Sequence, residues 1–350
     1  MQHFSKIIVT GADGWLGIGL INRLAKEIQN QKSEFYGIEI IAFVQSDVMR
    51  KKFDEFGIKF IVGDLKNEED TKKLLKEAEG ALIFNIAGII HPKVFSQNSF
   101  DKVNHIAMAS FAKKSYDNGV KKFIAMSSNS PCGYSKDISC RFDENSKYSP
   151  YMGYGKSKME MEKKIIAMAK ISDKTNYSIV RSPWFYGPYQ PQRQTEFFSL
   201  IKKGVFPLIG DGKSMRSMAY VDNLIDGLIL VSKYYDSNGE IFWISDESPY
   251  SMKEIVSTVR GLLKNEFGFK VVERQINLPS ILSDFARYAD YMTQHLGIYI
   301  QKVHVLSEMN QTIACNINKA KDLLGYNPKI QLEEGMRRSI NWCLNNGREI

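Results

Sequence analysis

Two side chains in the segment YGKSK are spaced for proton transfer. Tyr154 and Lys158 lie four residues apart, so both fall on one face of a predicted helix that ends at about residue 170. A phenol ordinarily has a pKa near ~10, but an adjacent ammonium favours the phenolate and lowers that pKa. A phenolate can accept the proton of a substrate hydroxyl while hydride leaves the same carbon. No other tyrosine of the chain is followed by a lysine at this spacing.

A serine-rich segment, MSSNS, ends the fifth predicted strand. Hydroxyls at the carboxyl end of a parallel strand point into the ligand crevice. Ser128 can therefore hold a substrate oxygen while Tyr154 handles its proton, which suits conversion between a carbinol and a ketone. The alternative is that these serines only cap a loop.

A glycine-rich turn, TGADGWLG, follows the first predicted strand and opens a helix. Gly11 permits a tight turn, Gly14 lets the backbone approach a pyrophosphate, and Gly17 lets the helix pack on the strand. The helix N-terminus adds free N–H groups and a positive dipole end. This arrangement predicts a dinucleotide cradle, with a plain tight turn as the alternative.

The end of the second predicted strand bears on the choice between NAD and NADP. An acidic residue there would read the ribose 2′-hydroxyl of NAD, and a basic one the 2′-phosphate of NADP. Gln45 and Ser46 can hydrogen-bond either group, and a basic run at residues 50–52 lies just downstream. The choice stays open.

Asp64 and Leu65 follow the third predicted strand. There they would lie beside the adenine, although Asp64 could equally be the N-cap of a helix that begins at Lys66.

The elements that must position these residues follow an alternating pattern. Short β-branched runs alternate with helical periodicity through the first half, which predicts βαβ units in a parallel sheet. Beyond residue 182, Pro/Gly loops and helices predict a smaller region over the strand ends. The fold class is α/β, a doubly wound parallel sheet with a smaller, mostly helical C-terminal substrate-binding region. We assign residues 1–181 and about 217–247 to dinucleotide binding, and 182–216 and 248–350 to the substrate. Strands are predicted at 6–10, 38–44, 58–62, 81–86, 121–126 and 177–181.

Composition excludes several classes of protein. The 350 residues are 43% hydrophobic and 25% charged, enough for a sizeable core. No stretch approaches the ~20 uncharged apolar residues that a bilayer crossing requires. The start, MQHFSKIIVTGADG, runs into a strand and not into a secretory leader, so we expect a cytoplasmic protein.

Charge and cysteine content set further expectations. The net charge of +8 favours an anionic ligand or an acidic membrane surface, but the lysine pairs are spread over many segments, which argues against nucleic-acid binding. The four cysteines match no metal-ligand spacing, so we expect reduced thiols and no metal.

Several motifs together resemble the extended short-chain dehydrogenase/reductase family, in its NAD-dependent epimerase/dehydratase branch. The resemblance covers nearly the whole chain. The motifs are TGADGWLG, Asp64-Leu65, NIAG at 85–88, Asn104, SSNS, YGKSK, RSPWFYGP, GDGKSMRSMAYVDN and the C-terminal NKAKDLLGYNP.

The resemblance implies a Rossmann-type core with bound NAD or NADP and a Ser128/Tyr154/Lys158 catalytic set. Lys158 would also hold the nicotinamide ribose, and Asn104 would support the lysine through water. It further implies a homodimer built on the helices at 98–118 and 151–170. Further cofactor contacts are expected at Asp13, Trp15, Leu16, Ala87, Gly88 and Pro183.

Departures from the family pattern argue against two of the reactions found in the family. Sugar-nucleotide 4,6-dehydratases carry an Asp-Glu pair after the serine or threonine, and Asn129 and Ser130 cannot replace those acids. Fucose-synthase-like 3,5-epimerases place a cysteine near the serine, whereas Cys132 lies four residues beyond Ser128. We therefore set both reactions aside and keep Ser130 as a candidate substrate contact.

Two features of the sugar-nucleotide epimerases are missing and one is present. Trp184 stands where they usually have asparagine, and VLSEMNQTIACN stands where they have a late Arg-x-Gly-Asp. Arg216 matches the arginine that contacts the nucleotide's phosphates, and a guanidinium suits a diphosphate. The alternative is a surface arginine paired with Asp211 or Asp222.

Two further features have two interpretations each. An apolar stripe of helical spacing within residues 277–300 is usually core, but 3β-hydroxysteroid dehydrogenase-like members and polyprenyl-diphosphate-sugar epimerases carry apolar helices near lipidic substrates. His91 either faces the substrate or is an incidental loop histidine. The stripe consists of Ile281, Phe285, Ala289, Met292 and Leu296.

The sequence thus predicts an NAD(P)-dependent enzyme acting on a ring hydroxyl of a diphosphate-linked sugar, nucleotide- or lipid-borne. C4 epimerisation through a keto intermediate fits best, and NAD is then favoured. The alternative is a one-way dehydrogenase or ketoreductase of the 3β-hydroxysteroid dehydrogenase type on a hydrophobic substrate. A third possibility is an NAD(P)-sensing protein without chemistry, since a fold alone confers no activity. Peripheral membrane contact is compatible with either enzyme.

Overall fold

Alternating strands and helices build the first two thirds of the protein. The computed structural model describes residues 3–91, 98–135 and 137–350, except for the side chains of Arg50 and Lys52. The strands are β1 (Lys6–Thr10), β2 (Glu39–Val44), β3 (Lys59–Val62), β4 (Leu82–Asn85), β5 (Lys122–Ser128), β6 (Asn176–Ser182), β7 (Trp184–Tyr186), β8 (Pro207–Ile209), β9 (Met215–Arg216), β10 (Met218–Tyr220), β11 (Glu240–Trp243), β12 (Tyr250–Ser251) and β13 (Ile276–Leu278).

The helices flank the main sheet and form most of the C-terminal region. Two of them contain π-helical segments, Asp101–Ala107 before α4 and Leu262–Glu266 after α8. The helices are α1 (Trp15–Gln29), α2 (Arg50–Glu55), α3 (Glu68–Leu75), α4 (Met108–Asp117), α5 (Met152–Ile171), α6 (Gln192–Lys202), α7 (Val221–Lys233), α8 (Met252–Gly261), α9 (Ile281–His295), α10 (Gln301–Glu308), α11 (Asn318–Leu324) and α12 (Leu332–Asn345).

Seven strands form one parallel sheet in the order β11-β6-β5-β4-β1-β2-β3. The central strands are buried on both faces because helices cover both sides, which explains why apolar residues run continuously along them instead of alternating with polar ones. The strand order reverses between β1 and β4, and ligands of such sheets bind at this point beyond the carboxyl ends. The predicted fold, with a Rossmann-type doubly wound sheet, is confirmed.

The C-terminal region lies over the carboxyl edge of the sheet. Its strands form two-stranded pairs, β7 with β10, β8 with β13 and β9 with β12. Between them the chain returns to the main sheet, where β11 pairs with β6. No helix among the described residues is long and apolar enough to cross a membrane.

Helix α9 buries its polar side and exposes its apolar side, which is the reverse of an ordinary surface helix. Ser283, Asp290 and Gln294 are buried, whereas the predicted apolar stripe faces outward. The interpretation of this stripe as core is therefore wrong. Polar partners beneath α9 explain why its polar face is the one that is buried.

Candidate active site

A close backbone approach sets the position of Tyr154. A Cβ atom on Gly155 would lie 2.7 Å from the carbonyl oxygen of Ser130, so only glycine lets α5 start against the loop that follows β5. In that loop the N–H of Ser130 donates to Ser128 Oγ at 3.1 Å. The start of α5 and the end of β5 are thereby brought together, with the phenol of Tyr154 beside the hydroxyl of Ser128.

The surroundings of Tyr154 raise the pKa of its phenol above the ordinary value. Burial is the largest cause, the hydrogen bond with Ser128 opposes it, and the carboxylate of Glu308 adds to it. The spacing of Tyr154 and Lys158 predicts the reverse, a pKa lowered by the ammonium. That prediction is wrong for the protein alone, because burial dominates the shift and Lys158 is not among its causes.

Lys158 is buried and its ammonium points inward. Nζ donates to the carbonyl oxygen of Met126 at 2.9 Å, and burial lowers its pKa to about 8 although Glu162 opposes the shift. A Cβ atom on Gly88 would lie 3.4 Å from Nζ. The lysine thus reaches the backbone that follows β4, at the point where the strand order reverses.

Asn104 fixes the same backbone from the other side. Its carboxamide accepts from the N–H of Ile89 and donates to the carbonyl of Ile89, both at 2.9 Å, and it lies 3.4 Å from Ser157 Oγ. Asn104 is buried within the π-helical segment before α4, a distortion often found at functional sites. It therefore links the segment after β4 to α5.

A buried ion pair lies against β5. Arg181 Nη2 donates to Glu162 Oε2 at 2.7 Å, and Ser127 and Tyr148 donate hydroxyl hydrogens to the same carboxylate. Ser127 and Ser128 are successive residues of β5, so their side chains leave the strand in opposite directions. One serine meets this ion pair, and the other meets Tyr154.

The glycine turn has the shape of a dinucleotide cradle. Gly11 has φ +67°, and a Cβ atom on Gly17 would lie 2.1 Å from the carbonyl oxygen of Gly11. A Cβ atom on Gly14, in contrast, would meet only that same carbonyl, at 3.2 Å, which leaves its outer side open. Helix α1 begins there without a side-chain cap and without an acidic residue in its first turn. The turn thus offers the exposed N–H groups that a pyrophosphate requires.

Neighbouring side chains hold this turn in place. Asp13 Oδ2 accepts from the N–H of Gln45 at 3.1 Å, and Trp15 Nε1 donates to the carbonyl of Pro188 at 2.7 Å. Leu16 is buried in the core. Gln45 and Ser46 are exposed directly after β2, where a ribose would lie. The side chains of Arg50 and Lys52 fall outside the described part of the chain.

The remaining predicted cofactor residues are spread along the carboxyl edge. The N–H of Ala87 donates to Thr10 Oγ1 at 3.3 Å, and Pro183 is buried between β6 and β7. Leu65 is half-buried against the sheet. Asp64 is not a helix N-cap, since α3 begins at Glu68 and its cap is Asn67. Asp64 instead accepts from the N–H of Lys66 at 2.9 Å in a local turn.

Arg216 belongs to β9 in the C-terminal region and contacts α10. Its Nη2 donates to the carbonyl oxygen of Glu308 at 2.5 Å, and its Nε has no hydrogen-bond partner among the described residues. Burial lowers its pKa, and the charge of Glu308 opposes that shift. Pairing with Asp211 or Asp222 is therefore wrong as an explanation, and Asp211 pairs with Lys213 instead.

His91 and Trp184 each contact an aromatic side chain of the C-terminal region. His91 Nδ1 is hydrogen-bonded to the hydroxyl of Tyr299 at 2.8 Å, and burial, with Arg193 and His304, lowers its pKa to about 4. His91 is therefore neutral at pH 7. Trp184 is half-buried, with its ring edge-on to Phe197 of α6.

A polar cluster on α9 and α10 is not predicted by any motif of the sequence. Asp290 is fully buried and accepts from Tyr151 at 3.0 Å and from Gln294 at 2.9 Å, and it lies 2.8 Å from His304 Nδ1. Burial would lower the pKa of His304, but Asp290 and Glu308 outweigh burial and raise it. The only signal in the sequence is the helical spacing of His304 and Glu308, which many surface helices share.

Comparison with known proteins shows the family. The model of the NAD dependent epimerase/dehydratase family matches residues 7–245. The uncharacterized protein y4nL of Sinorhizobium fredii is 41% identical over 98% of this chain and 96% of its own. A UDP-glucose 4-epimerase of Vibrio cholerae is 25% identical, with 95% and 94% covered. A sterol-4-alpha-carboxylate 3-dehydrogenase of Candida albicans is 23% identical, with 97% and 98% covered.

Solved structures share the fold. A UDP-glucuronic acid 4-epimerase from Bacillus cereus, in complex with NAD, superposes with a TM-score of 0.73 at 20% identity, covering 97% of this chain and 99% of its own. The protein gox2253 gives a TM-score of 0.78 at 19% identity, with 99% and 100% covered. From the match to the family model over most of its length, we conclude that this chain belongs to the NAD-dependent epimerase/dehydratase family.

Proposed function

We propose that this protein oxidises a ring hydroxyl of a diphosphate-linked sugar and returns the hydride to the other face, which makes it a C4 epimerase. The observation that carries the proposal is the convergence of Ser128, Tyr154 and Lys158 at the carboxyl edge of the sheet. UDP-glucose and UDP-glucuronic acid 4-epimerases are among the similar proteins.

The residues present fit NAD. The uncapped start of α1 would receive its pyrophosphate, and Lys158 and the backbone at Gly88 would hold its nicotinamide end. Gln45 and Ser46 would face the ribose, and neither carries the positive charge that a 2′-phosphate favours. When bound, NAD supplies a reversible hydride acceptor.

Tyr154 and Ser128 move the proton. Ser128 holds the substrate oxygen, and Tyr154 accepts its proton as the carbon is oxidised. The base in this first half is the phenolate, so Tyr154, whose pKa burial raises in the protein alone, must first release its own proton, which the ammonium of Lys158 would favour. The phenol formed by accepting the substrate proton then donates that same proton back to the keto oxygen when hydride returns. The cycle is then balanced, with no net gain or loss of protons or electrons.

Arg216 supplies the grip on the diphosphate. Its unpartnered Nε and its burial leave one donor available in a low-dielectric cleft, where a charge-assisted hydrogen bond is strong. The neutral His91 and the hydroxyl of Tyr299 add uncharged donors or acceptors for sugar hydroxyls. Ser130 and Trp184 complete the proposed substrate contacts.

Cys132 takes no part in this proposal. Burial raises the pKa of its thiol to about 11, so the thiol stays protonated and is a poor base. This supports setting aside a 3,5-epimerase reaction.

The experiment that tests the proposal starts from the purified protein. Denaturation and mass spectrometry of the released small molecules should yield NAD. Incubation with UDP-glucose or UDP-glucuronic acid, without added cofactor, should then yield the C4 epimer with no lasting change in nicotinamide absorbance. Stoichiometric consumption of NAD or NADP would contradict epimerisation.

A second candidate function is a one-way dehydrogenase on a hydrophobic hydroxy compound. Trp184, packed against Phe197, makes one wall apolar where the sugar-nucleotide epimerases usually have asparagine. A sterol dehydrogenase is also among the relatives. Lasting reduction of NAD or NADP by a sterol carboxylate, with no turnover of UDP-sugars, would favour this candidate.

We also propose that the protein is a homodimer and that different segments of the chain bind the dinucleotide and the substrate. The dimer would use the helices at 98–118 and 151–170, where Ile106 is an exposed apolar side chain. Residues 1–181 and about 217–247 would bind the dinucleotide, and the remainder would bind the substrate. Sedimentation of the intact protein tests the dimer, because Ile106→Glu should then yield monomers.

A further inference from the structure

An apolar stripe runs along the outside of α9. Ile281, Phe285, Tyr288, Met292 and Leu296 recur every three or four residues and are 57%, 64%, 66%, 45% and 74% exposed. The opposite side of the same helix is polar and buried. A surface helix normally shows the reverse arrangement. This outer stripe therefore demands an explanation other than the packing of the folded chain.

The exposed area is large for a single face. The three aromatic side chains Phe285, Tyr288 and Tyr291 alone expose roughly 350 Å², if a full aromatic side chain is taken as about 200 Å². That already lies within the range of about 300–600 Å² for the largest apolar patch of a typical monomer. The aliphatic members and the neighbouring Ile300 and Val305 enlarge the patch.

The exposed charges that flank α9 along the chain leave a positive excess. Arg274 and Lys302 are both exposed, and the exposed Glu273 is paired with Lys264. Asp284 is paired with Arg287 at 3.1 Å, and Asp290 is buried against His304. The whole chain carries a net charge of +8. An anionic surface is therefore the complementary partner.

The geometry points to the outer stripe of α9 as a surface that docks on an anionic lipid bilayer. A helix of 15 residues is about 22 Å long and can lie in the interface with its apolar side chains among the acyl chains. Two tyrosines on or beside the stripe suit the headgroup level. A two-fold pair of copies is disfavoured, because it would bring the same cations together.

Docking would set the cleft at the membrane surface. On the inner side of α9 and α10, the charge of Glu308 reaches Tyr154, and Asp290 accepts a hydrogen bond from Tyr151 at the start of α5. The outer side of the same helices would contact lipid. A substrate carried by a lipid could then enter without leaving the membrane surface. Docking itself does not rest on the proposed reaction, since vesicle binding requires no turnover.

Vesicle sedimentation tests this inference directly. The intact protein is mixed with vesicles of equimolar phosphatidylglycerol and phosphatidylcholine, or of phosphatidylcholine alone. We expect it to pellet with the anionic vesicles and to be released as salt is raised. Phe285→Glu combined with Met292→Glu should weaken binding at least tenfold, with an unchanged melting temperature, because both side chains are on the surface.

A matched double variant controls for added negative charge. Tyr235 and Leu323 are 78% and 46% exposed and lie outside the stripe, so Tyr235→Glu with Leu323→Glu should bind as the unmodified protein does. The inference is overturned if the unmodified protein stays in the supernatant, or if both double variants bind equally. Light scattering adds a third outcome: conversion of a dimer to monomers by the stripe variant alone would show that a second copy covers the stripe.

Discussion

The two walls of the cleft are built in opposite ways. The wall formed by β5 and α5 brings Ser128 and Tyr154 together, and Lys158, Glu162 and Ser127 are paired in the interior behind them. In the wall formed by α9 and α10, helix α9 buries Ser283, Asp290 and Gln294 and exposes its apolar stripe. The first arrangement is typical of an active site, and the second is typical of a surface that contacts a binding partner. The predictions below test whether this division holds.

The largest effect is expected at the chemical wall. Tyr154→Phe removes the hydroxyl that transfers the proton and should lower kcat about 10³-fold. Cofactor retention should be unchanged, because the cofactor residues are untouched. Steady-state kinetics and mass spectrometry of released NAD provide the measurements, and Tyr36→Phe, at an exposed site, is the control. Full activity in Tyr154→Phe would refute the assignment.

The ion pair between Glu162 and Arg181, behind the same wall, should have a large effect on stability and not on the chemical step. Glu162→Gln leaves Arg181 buried without its counter-charge and should cost about 3–5 kcal/mol of unfolding free energy. Asp117→Asn, which breaks an exposed pair with Lys113, should cost less than about 1 kcal/mol. Urea unfolding of both variants measures the contrast. Equal losses would show that the buried pair is not special.

The contribution of the second wall, formed by α9 and α10, to the unfolding free energy should depend on pH. The pKa of His304 is raised above its ordinary value, so its pairing with Asp290 stabilises the fold fully below about pH 6.5, and this contribution fades as pH rises through the folded pKa. Asp290→Asn should therefore cost about 2 kcal/mol at about pH 6 and clearly less at about pH 8.5. Unfolding curves at the two pH values measure this. A loss that is independent of pH would mean that His304 is neutral throughout.

The smallest effect is expected at Arg216, which contacts the end of α10. Arg216→Met should raise KM for a sugar diphosphate about tenfold and leave kcat nearly unchanged, since a lost grip on the non-reacting diphosphate weakens ground and transition states alike. Lys213→Met is the control, because Lys213 is exposed nearby and paired with Asp211. An equal fall in kcat instead would give Arg216 a role in the chemical step.

The first wall could be predicted from the sequence because its determinants are local. The glycine turn, the serine at the end of β5 and the spacing of Tyr154 and Lys158 each lie within a few residues. Their relative placement then follows from the known geometry of a parallel sheet. The fold and its six earliest strands were accessible for the same reason.

The second wall could not be predicted because its contacts join distant segments. His91 meets Tyr299 across 208 positions, and Asp290 meets Tyr151 across 139. Periodicity shows that α9 has an apolar side, but not which side is buried. The predicted sign of the pKa shift of Tyr154 was wrong because the shift comes mainly from burial and from Glu308, which lies 154 positions away along the chain, and not from the neighbouring lysine.

The serine that meets the buried ion pair has a consequence for folding fidelity. If β5 slipped by one residue toward its carboxyl end, Met126 would take the place of Ser127 and present a thioether to the carboxylate of Glu162. Loss of that hydrogen bond would cost about 1–3 kcal/mol, which disfavours the misaligned strand before any ligand binds. The hydrogen bond from Ser127 to Glu162 thus favours the observed alignment of β5 over this slipped one. In the observed alignment, Ser128 lies beside Tyr154.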